Sequence, residues 1–345
     1  MRRFPREGKP VRALPYTFRM PPTASSPTAR DVDALVRLDP TPLLPVEVPG
    51  AGRVIWCKAE YQHPSGSTKD RIAAHMLGKA WREGRLRAGD EVVEASSGST
   101  SIAMSMVCAR LGLRFTAFMP EGVSTERSLM IRAYGGEVRL TPKADGIIGS
   151  LAACREHAAR QGSFEPRQFE NHDNAEAHRR GTAAEILRQV PGGRVDAYVS
   201  GVGTGGTIVG MRLGFADAGL RPRAVAARPV AGSSGACRDC FAAVEQCSFS
   251  ARIPGVLDGM SAIYRPTDFH DLQVVEVADD AAIEATRLLI RQGHPVGPSS
   301  GLNLSAAIEA SRTLPADAVV VTVLCDRMER YFSTELFAEW VAAKR

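Results

Sequence analysis

The 345 residues contain no apolar run approaching the roughly 20 residues that a bilayer-spanning helix requires. They also lack a Lys/Arg tract interleaved with aromatics. The 43 basic residues are scattered against 38 acidic ones, and the formal net charge is only +5. Nucleic-acid binding and membrane association are therefore not expected. A mildly positive cleft that draws anionic small molecules fits the same balance. Cysteine is sparse: seven residues, an odd count at irregular spacing in a large chain, do not form a disulfide framework and read as reduced cytoplasmic thiols. The segment Met1 to Arg12 is basic, but no apolar core follows it, so a secretory signal is not expected.

What is present is an ordinary globular composition, 44% hydrophobic and 23% charged, in a chain longer than most single cores sustain. Two lobes around a cleft are the natural arrangement. The first forty residues, rich in Pro, Arg and Ser, show little periodicity and read as an arm. From residue 53 onward strands at 54–57, 91–95, 115–119 and 137–141 alternate with helices near 67–83, 102–111 and 125–134. The rhythm resumes with helices at 175–189, after residue 206, at 280–291 and at 302–312, among strands at 196–200, 224–227, 272–277 and 318–324. Such alternation predicts an α/β fold of parallel sheets covered by helices. Residues 1–52 are read as the arm and first part of a larger lobe, 53–168 as a smaller mobile lobe, and 169–345 as the rest of the larger one. Chemistry is sought in the turns after strands, where open α/β sheets bind ligands.

Gly201-Val202-Gly203-Thr204-Gly205-Gly206-Thr207 lies between a predicted strand and a predicted helix. Main-chain N–H groups in such a turn, together with a helix N-terminus, form an anion site suited to a phosphate. The same residues satisfy G-x-G-x-x-G through Gly201, Gly203 and Gly206, so a dinucleotide site is an alternative, as is a tight turn without ligand. Against the dinucleotide, the next strand ends in Arg228 rather than in an acid for the ribose hydroxyls. Lys69, within Pro64-Ser65-Gly66-Ser67-Thr68-Lys69-Asp70-Arg71, falls in the first turn of a helix, where a cation faces the positive end of the macrodipole. As surface decoration the position is poor. A lowered pKa there favours the neutral amine that attacks an aldehyde, although a lysine reaching out to solvent is the simpler reading of the residue alone.

Taken together with these segments, the chain from about Thr41 to Phe337 resembles the cysteine synthase and cystathionine β-synthase family of fold-type II pyridoxal-phosphate enzymes, a two-lobed, tryptophan synthase β-like fold. Thr41-Pro42-Leu43 is similar to the family's opening, and Lys58 to Arg71 to its cofactor-lysine motif. Glu94-Ala95-Ser96-Ser97-Gly98-Ser99-Thr100 is similar to its substrate-carboxylate loop and Gln168-Phe169-Glu170-Asn171 to a segment that helps close the site. Gly203 to Thr207, G-T-G-G-T, is similar to its phosphate loop. Pro298-Ser299-Ser300-Gly301 resembles the turn that meets the pyridine nitrogen, and Glu329 to Thr334 the C-terminal signature.

The resemblance implies pyridoxal 5'-phosphate held as a Schiff base on Lys69, its phosphate on Gly203, Thr204, Gly205, Gly206 and Thr207, and its ring nitrogen on Ser299. It implies Ser99 near the ring hydroxyl, and a small amino-acid substrate held by Ser96, Ser97, Gly98, Ser99, Thr100 and Gln168. The implied reaction is β-replacement on an activated serine such as O-acetylserine, through an aminoacrylate, with sulfide or another small nucleophile adding. A cytoplasmic homodimer is implied as well. Three positions depart from the pattern. Ser99 stands where an asparagine is usual, His63 stands where an asparagine usually precedes the proline, and Arg228 replaces a glutamate. The first two, with Gly297 to Gly301 and Asn303, resemble a subgroup associated with cysteine desulfhydrase activity, which makes β-elimination to sulfide, pyruvate and ammonia the rival reaction. A non-catalytic binding relative is a third reading, against which Lys69 stands. Cys237-x-x-Cys240 with Cys247 lacks a second ligand pair, so free thiols are expected there and no metal, with a redox pair the next alternative and zinc completed by a distant ligand such as His270 the last. Cys57, Cys108, Cys154 and Cys325 are expected as small core residues, and His172 as the histidine nearest the cleft.

Overall fold

The computed structural model describes residues 29–48, 53–230, 252–256 and 259–342. Cys237, Cys240, Cys247 and the first 28 residues of the arm lie outside them. Among the described residues nine strands form two sheets. The larger contains β1 (Leu43–Glu47), β2 (Val54–Lys58), β6 (Ala197–Gly201), β7 (Arg223–Val230), β8 (Leu272–Ala278) and β9 (Val320–Val323), in the order β1-β2-β9-β6-β7-β8. Only β1 runs antiparallel, and it lies at the edge, where Pro45 costs no interior ladder hydrogen bond. The smaller sheet is β3 (Glu91–Ala95), β4 (Arg114–Pro120) and β5 (Glu137–Thr141), all parallel.

The strand at Val54–Lys58 corrects the sequence reading. It was assigned to the smaller lobe, yet it pairs with β1 through Trp56↔Pro45 and with β9 through Cys57↔Thr322. Its partners lie far along the chain, which explains why local periodicity could not place it. The smaller sheet begins only at β3.

Helices cover both sheets. They are α1 (Ala29–Leu35), α2 (Lys69–Arg82), α3 (Ser99–Leu111), α4 (Thr125–Ala133), α5 (Gly146–Gln161), α6 (Asp173–His178), α7 (Ala184–Gln189), α8 (Gly206–Asp217), α9 (Asp279–Arg291) and α10 (Pro298–Ser311). One core on the larger sheet joins Ile55, Val199, Val225, Val275 and Leu302, and a second joins Tyr198, Phe215, Ala226 and Val323. Alternate residues of β6, β7 and β9 thus serve opposite faces, as parallel strands buried on both sides must. The smaller sheet packs Val92, Phe115 and Ala117 with Ile72, Leu77 and Ile102 of α2 and α3.

The continuous helix expected over 175–189 is interrupted by a wider π-turn at Arg179–Ala183. A Cβ on Gly181 would lie 2.6 Å from Nη1 of Arg71, and the same guanidinium binds Glu185 two residues past the turn. The irregularity therefore sits where a buried charge crosses from α2 to α7, a common setting for such bulges. Among the described residues no helix is long and apolar enough to cross a membrane.

Candidate active site

The two sheets face one cavity of about 810 Å³. Lys69, Ser96, Ser97, Gly98, Ser99, Thr100, Gln168, Gly203, Thr204, Gly205, Gly206, Thr207 and Ser299 all line it. Segments from about residue 69 to residue 299 thus meet around one space. His63, His172 and Arg228 are not on its wall. His63 is buried with its Nε2 3.5 Å from Glu60, and Arg228 pairs with Glu276 across the sheet surface.

The glycine turn follows β6 and opens α8. Gly205, at φ +80°, supplies the left-handed residue before the helix. A Cβ on Gly203 would stand 2.1 Å from the Gly255 carbonyl oxygen, and one on Gly206 would stand 1.7 Å from Asn174 Oδ1. The turn is held from behind. Asn174 Nδ2 donates to Thr204 Oγ1 at 2.9 Å and to the Gln168 carbonyl at 2.8 Å, while Ser261 Oγ donates to the Thr204 carbonyl at 2.6 Å. His178 Nε2 lies 3.3 Å from Thr207 Oγ1. Burial pushes the His178 imidazole down to about 3, so it stays neutral and its contact with Thr207 is a hydrogen bond without charge. The opening N–H groups of α8 have no intrahelical acceptor, and with the helix dipole they suit a phosphate.

Lys69 is the first residue of α2 and half-buried on the cavity wall. Burial lowers its amine pKa, while Cys325, Asp326 and Glu60 oppose that shift. The start of α2 is fixed by a charge network. Arg71 bonds Glu60 at 2.5 Å and Glu185 at 2.7 Å, and Lys58 pairs with Glu185 at 2.7 Å and also donates to the Thr41 carbonyl. Asp70 accepts from the Ser65 main chain at 2.7 Å. The lysine is thus set on a braced turn.

Facing it, Asp326 is 94% buried, and its Oδ2 accepts from Ser99 Oγ at 3.1 Å and Tyr331 OH at 2.8 Å. The hydroxyl at the position usual for asparagine is therefore bound by a carboxylate six strands later in the chain. Cys325, expected in the core, is instead on the cavity wall, where its thiol bonds Ser299; burial, then the nearby Asp326 charge, pushes its pKa up to about 11. It departs from the core because the chain leaves β9 there and turns back over the site. Cys57, Cys108 and Cys154 are buried as expected. Ser299 opens α10, which begins at Pro298, four residues ahead of the expected start.

The loop before α3 spends several of its hydroxyls on its own shape. Ser96 Oγ accepts from Gly98 N at 3.1 Å and Ser101 N at 3.2 Å, an N-terminal cap in function. Thr100 Oγ1 donates to Gln168 Oε1 at 2.6 Å, and Gln168 Nε2 donates to the Ala95 carbonyl at 2.8 Å. Gln168 thereby clamps the loop. Below it, burial raises the Glu94 carboxyl to about 8, although Gln168 and Ala95 N–H groups donate to it. Asp326 and Asn174 are not read from sequence; Cys325 and His178 are read there only as structural residues, and Glu94 and Tyr331 only as members of motifs. The carboxylate loop that begins at Glu94 and the C-terminal signature around Tyr331 carry the signal of those two.

A parallel α/β fold that sets a desolvated amine across from a main-chain anion cradle defines a class of protein built for a phosphorylated carbonyl ligand. The comparisons agree in detail. Residues 36–326 match the family of pyridoxal-phosphate dependent enzymes, and the chain belongs to that family. It is 38% identical over 291 residues to a cysteine synthase of Staphylococcus aureus, covering 82% of this chain and 89% of that one. It is 36% identical over 305 residues to cysteine synthase B of Escherichia coli, covering 87% and 94%. Its fold matches that of a hydrogen sulfide-producing enzyme from Fusobacterium nucleatum with a TM-score of 0.74, at 31% identity over 87% of this chain and 98% of that one. The protein is a fold-type II enzyme that uses pyridoxal phosphate, and the cradle and amine described above fit that cofactor.

Proposed function

We propose that the protein catalyses β-replacement on an activated serine such as O-acetylserine, with sulfide or another small sulfur nucleophile replacing the leaving group. The observation that carries this reading is the meeting of Lys69, the loop Ser96 to Thr100, the turn Gly203 to Thr207 and Ser299 around one cavity. The cysteine synthases among its relatives support the choice of reaction. When bound, the cofactor would supply an electron sink conjugated with the substrate's α-carbon through its amino nitrogen. Gly203, Thr204, Gly205, Gly206 and Thr207 would hold its phosphate, and Lys69 its carbonyl carbon.

The remaining work falls to this chain. The Lys69 amine, whose pKa burial lowers, is set free when the substrate's amine takes its place and then accepts the proton from the α-carbon. Ser299 offers the ring nitrogen a neutral hydroxyl; a carboxylate there would keep the nitrogen charged and deepen the sink. A shallower sink favours departure of the β-substituent over transamination. Ser96, Ser97, Gly98, Ser99 and Thr100 orient the substrate carboxylate at the start of α3, with Gln168 holding the loop in shape. Closure of the lobe built on β3, β4 and β5 excludes water from the reacting centre.

The second reading is β-elimination from cysteine, releasing sulfide, pyruvate and ammonia. It is favoured by the bonding of Ser99 to Asp326, which takes up the hydroxyl where an asparagine is usual, and by the sulfide-producing structural relative. The two reactions share every residue named above and differ in whether a nucleophile or water arrives second. A cytoplasmic homodimer completes the reading, and sedimentation at micromolar concentration tests the dimer.

The deciding experiment follows the visible absorption of the purified protein. A cofactor band that shifts with O-acetylserine and returns on adding sulfide, with cysteine formed, supports replacement. A shift with L-cysteine alone and steady pyruvate release replaces that reading with elimination. Absence of any band after cofactor is supplied overturns both.

A further inference from the structure

One charged side chain on the cavity wall has no task in the scheme above. Arg127, in the first turn of α4, is 6% exposed and lines the cavity. Its guanidinium carbon lies 4.9 Å from the centre of the Tyr331 ring, and its Nε is buried without a hydrogen-bond partner. Among the described residues no carboxylate pairs with it. Among the described residues, two of the other buried arginines have carboxylate partners, and Arg330, whose Nε and Nη1 also lack partners, does not line the cavity. Arg71 binds Glu60 and Glu185, Arg287 binds Glu284 and Glu339, and Arg330 donates to the Ser65 carbonyl at 2.6 Å. A desolvated cation that rests on an aromatic face, with no protein anion, is placed to receive one from elsewhere.

Its position identifies where. A Cβ on Gly98 would stand 2.2 Å from Arg127 Cδ and 2.9 Å from Nε, so the arginine passes directly against the loop Ser96 to Thr100. Gly98, at φ +148°, is a glycine there both for its backbone and for this contact. The N–H groups of Ser99 and Thr100, which open α3 without an intrahelical acceptor, and the guanidinium are therefore adjacent donors from two separate elements. Arg127 is also tied to the reacting side of the cavity. Ser124, which precedes α4, donates to the Arg330 carbonyl at 2.7 Å, and the next residue, Tyr331, carries the hydroxyl that binds Asp326 opposite Lys69.

We propose that Arg127 is a specificity residue that binds the carboxylate of the amino-acid substrate, so that the loop and the guanidinium hold one anion from two sides. The inference rests on the loop being the carboxylate site. In the free protein the Tyr331 ring holds the cation in place. On binding, the carboxylate becomes the partner that the fold withholds, which makes recognition depend on charge as well as on loop geometry.

The test uses the cofactor-loaded protein and two probes that have no β-leaving group, L-alanine and L-alaninamide, with dissociation constants read from the cofactor absorption. The wild type should bind L-alanine more tightly than the amide. R127M should lose affinity for L-alanine by on the order of 10- to 100-fold, the scale of a charged hydrogen-bond pair, and change little toward the amide. R127K, which keeps charge but not the fork, should fall between them. An R127M protein that still discriminates like the wild type overturns the proposal, as does equal weakening of both probes in R127M and R127K, which marks a structural role. A wild type that does not discriminate overturns the loop assignment itself, a separate and distinguishable failure.

Discussion

Replacing Gly206 by alanine should destabilise the protein, although helix propensity argues the reverse. Gly206 is the first residue of α8, where alanine is worth about 1 kcal/mol more than glycine in an exposed helix. Its absent Cβ, however, would lie 1.7 Å from Oδ1, 2.5 Å from Cγ and 3.1 Å from Nδ2 of Asn174. Asn174 is 1% exposed and cannot swing aside without releasing the Gln168 carbonyl and Thr204 Oγ1. Two hydrogen bonds at about 1 kcal/mol each, plus roughly 1–3 kcal/mol for overpacking, outweigh the propensity gain. The net loss is about 2–4 kcal/mol. Urea unfolding followed by circular dichroism measures it, and a titration with pyridoxal phosphate should show weaker cofactor binding, because Thr204 is displaced with Asn174. In the double variant N174A/G206A the obstacle is gone, so G206A should cost little beyond N174A alone. Full additivity, or a G206A protein as stable as the wild type, refutes the packing argument.

Lys69→Ala should abolish attachment of the cofactor, which would then be lost on gel filtration, and lower turnover by about 100- to 10,000-fold, the range for removal of a positioned base. Turnover within tenfold of the wild type would contradict its role. Glu185→Gln leaves Lys58 and Arg71 short of a shared buried anion, and unfolding in urea should show a loss of about 3–5 kcal/mol. Glu94 gives a pH test. Its carboxyl is raised from 4.5 to about 8 by burial, so between those values the native state binds more protons than the unfolded one. Stability contributed at this site should therefore fall as pH rises from about 4.5 to about 8, by at most ~1.4 kcal/mol per unit. Urea midpoints for Glu94→Gln across that range should lose this slope, and an unchanged slope would refute the assignment.

The α/β alternation was legible because strand and helix periods are local. The strands at 91–95 and 137–141 agree with the structure at both ends. The helix α5 was missed, since Gly146 and Gly149 with Ile147 and Ile148 give a weak amphipathic pattern, and only 4 of its 16 residues are buried. The edge strand β1 was missed because Pro45 argues against a strand unless the edge position is known. The start of α10 was read late, since Pro298-Ser299-Ser300-Gly301 has the composition of a turn. In the site, the glycine turn and the serine loop could be read because anion binding at a helix N-terminus uses main-chain donors, whose presence depends on a short local sequence.

From the sequence alone came the residues whose chemistry is carried by their immediate neighbours: a lysine opening a helix, glycines that let a turn close on an anion, hydroxyls at a helix start. Tertiary structure alone decided which side chains face them. Asp326 reaches Ser99 across 227 positions, and Arg127 reaches both Gly98 and Tyr331. Strand β2 joins the larger sheet only through its pairing with β9. Contacts of that length depend on how two sheets and their covering helices pack, and packing is cooperative over the whole chain. No window of ten or twenty residues contains Ser99 with Asp326, Gly98 with Arg127, or Thr204 with Asn174.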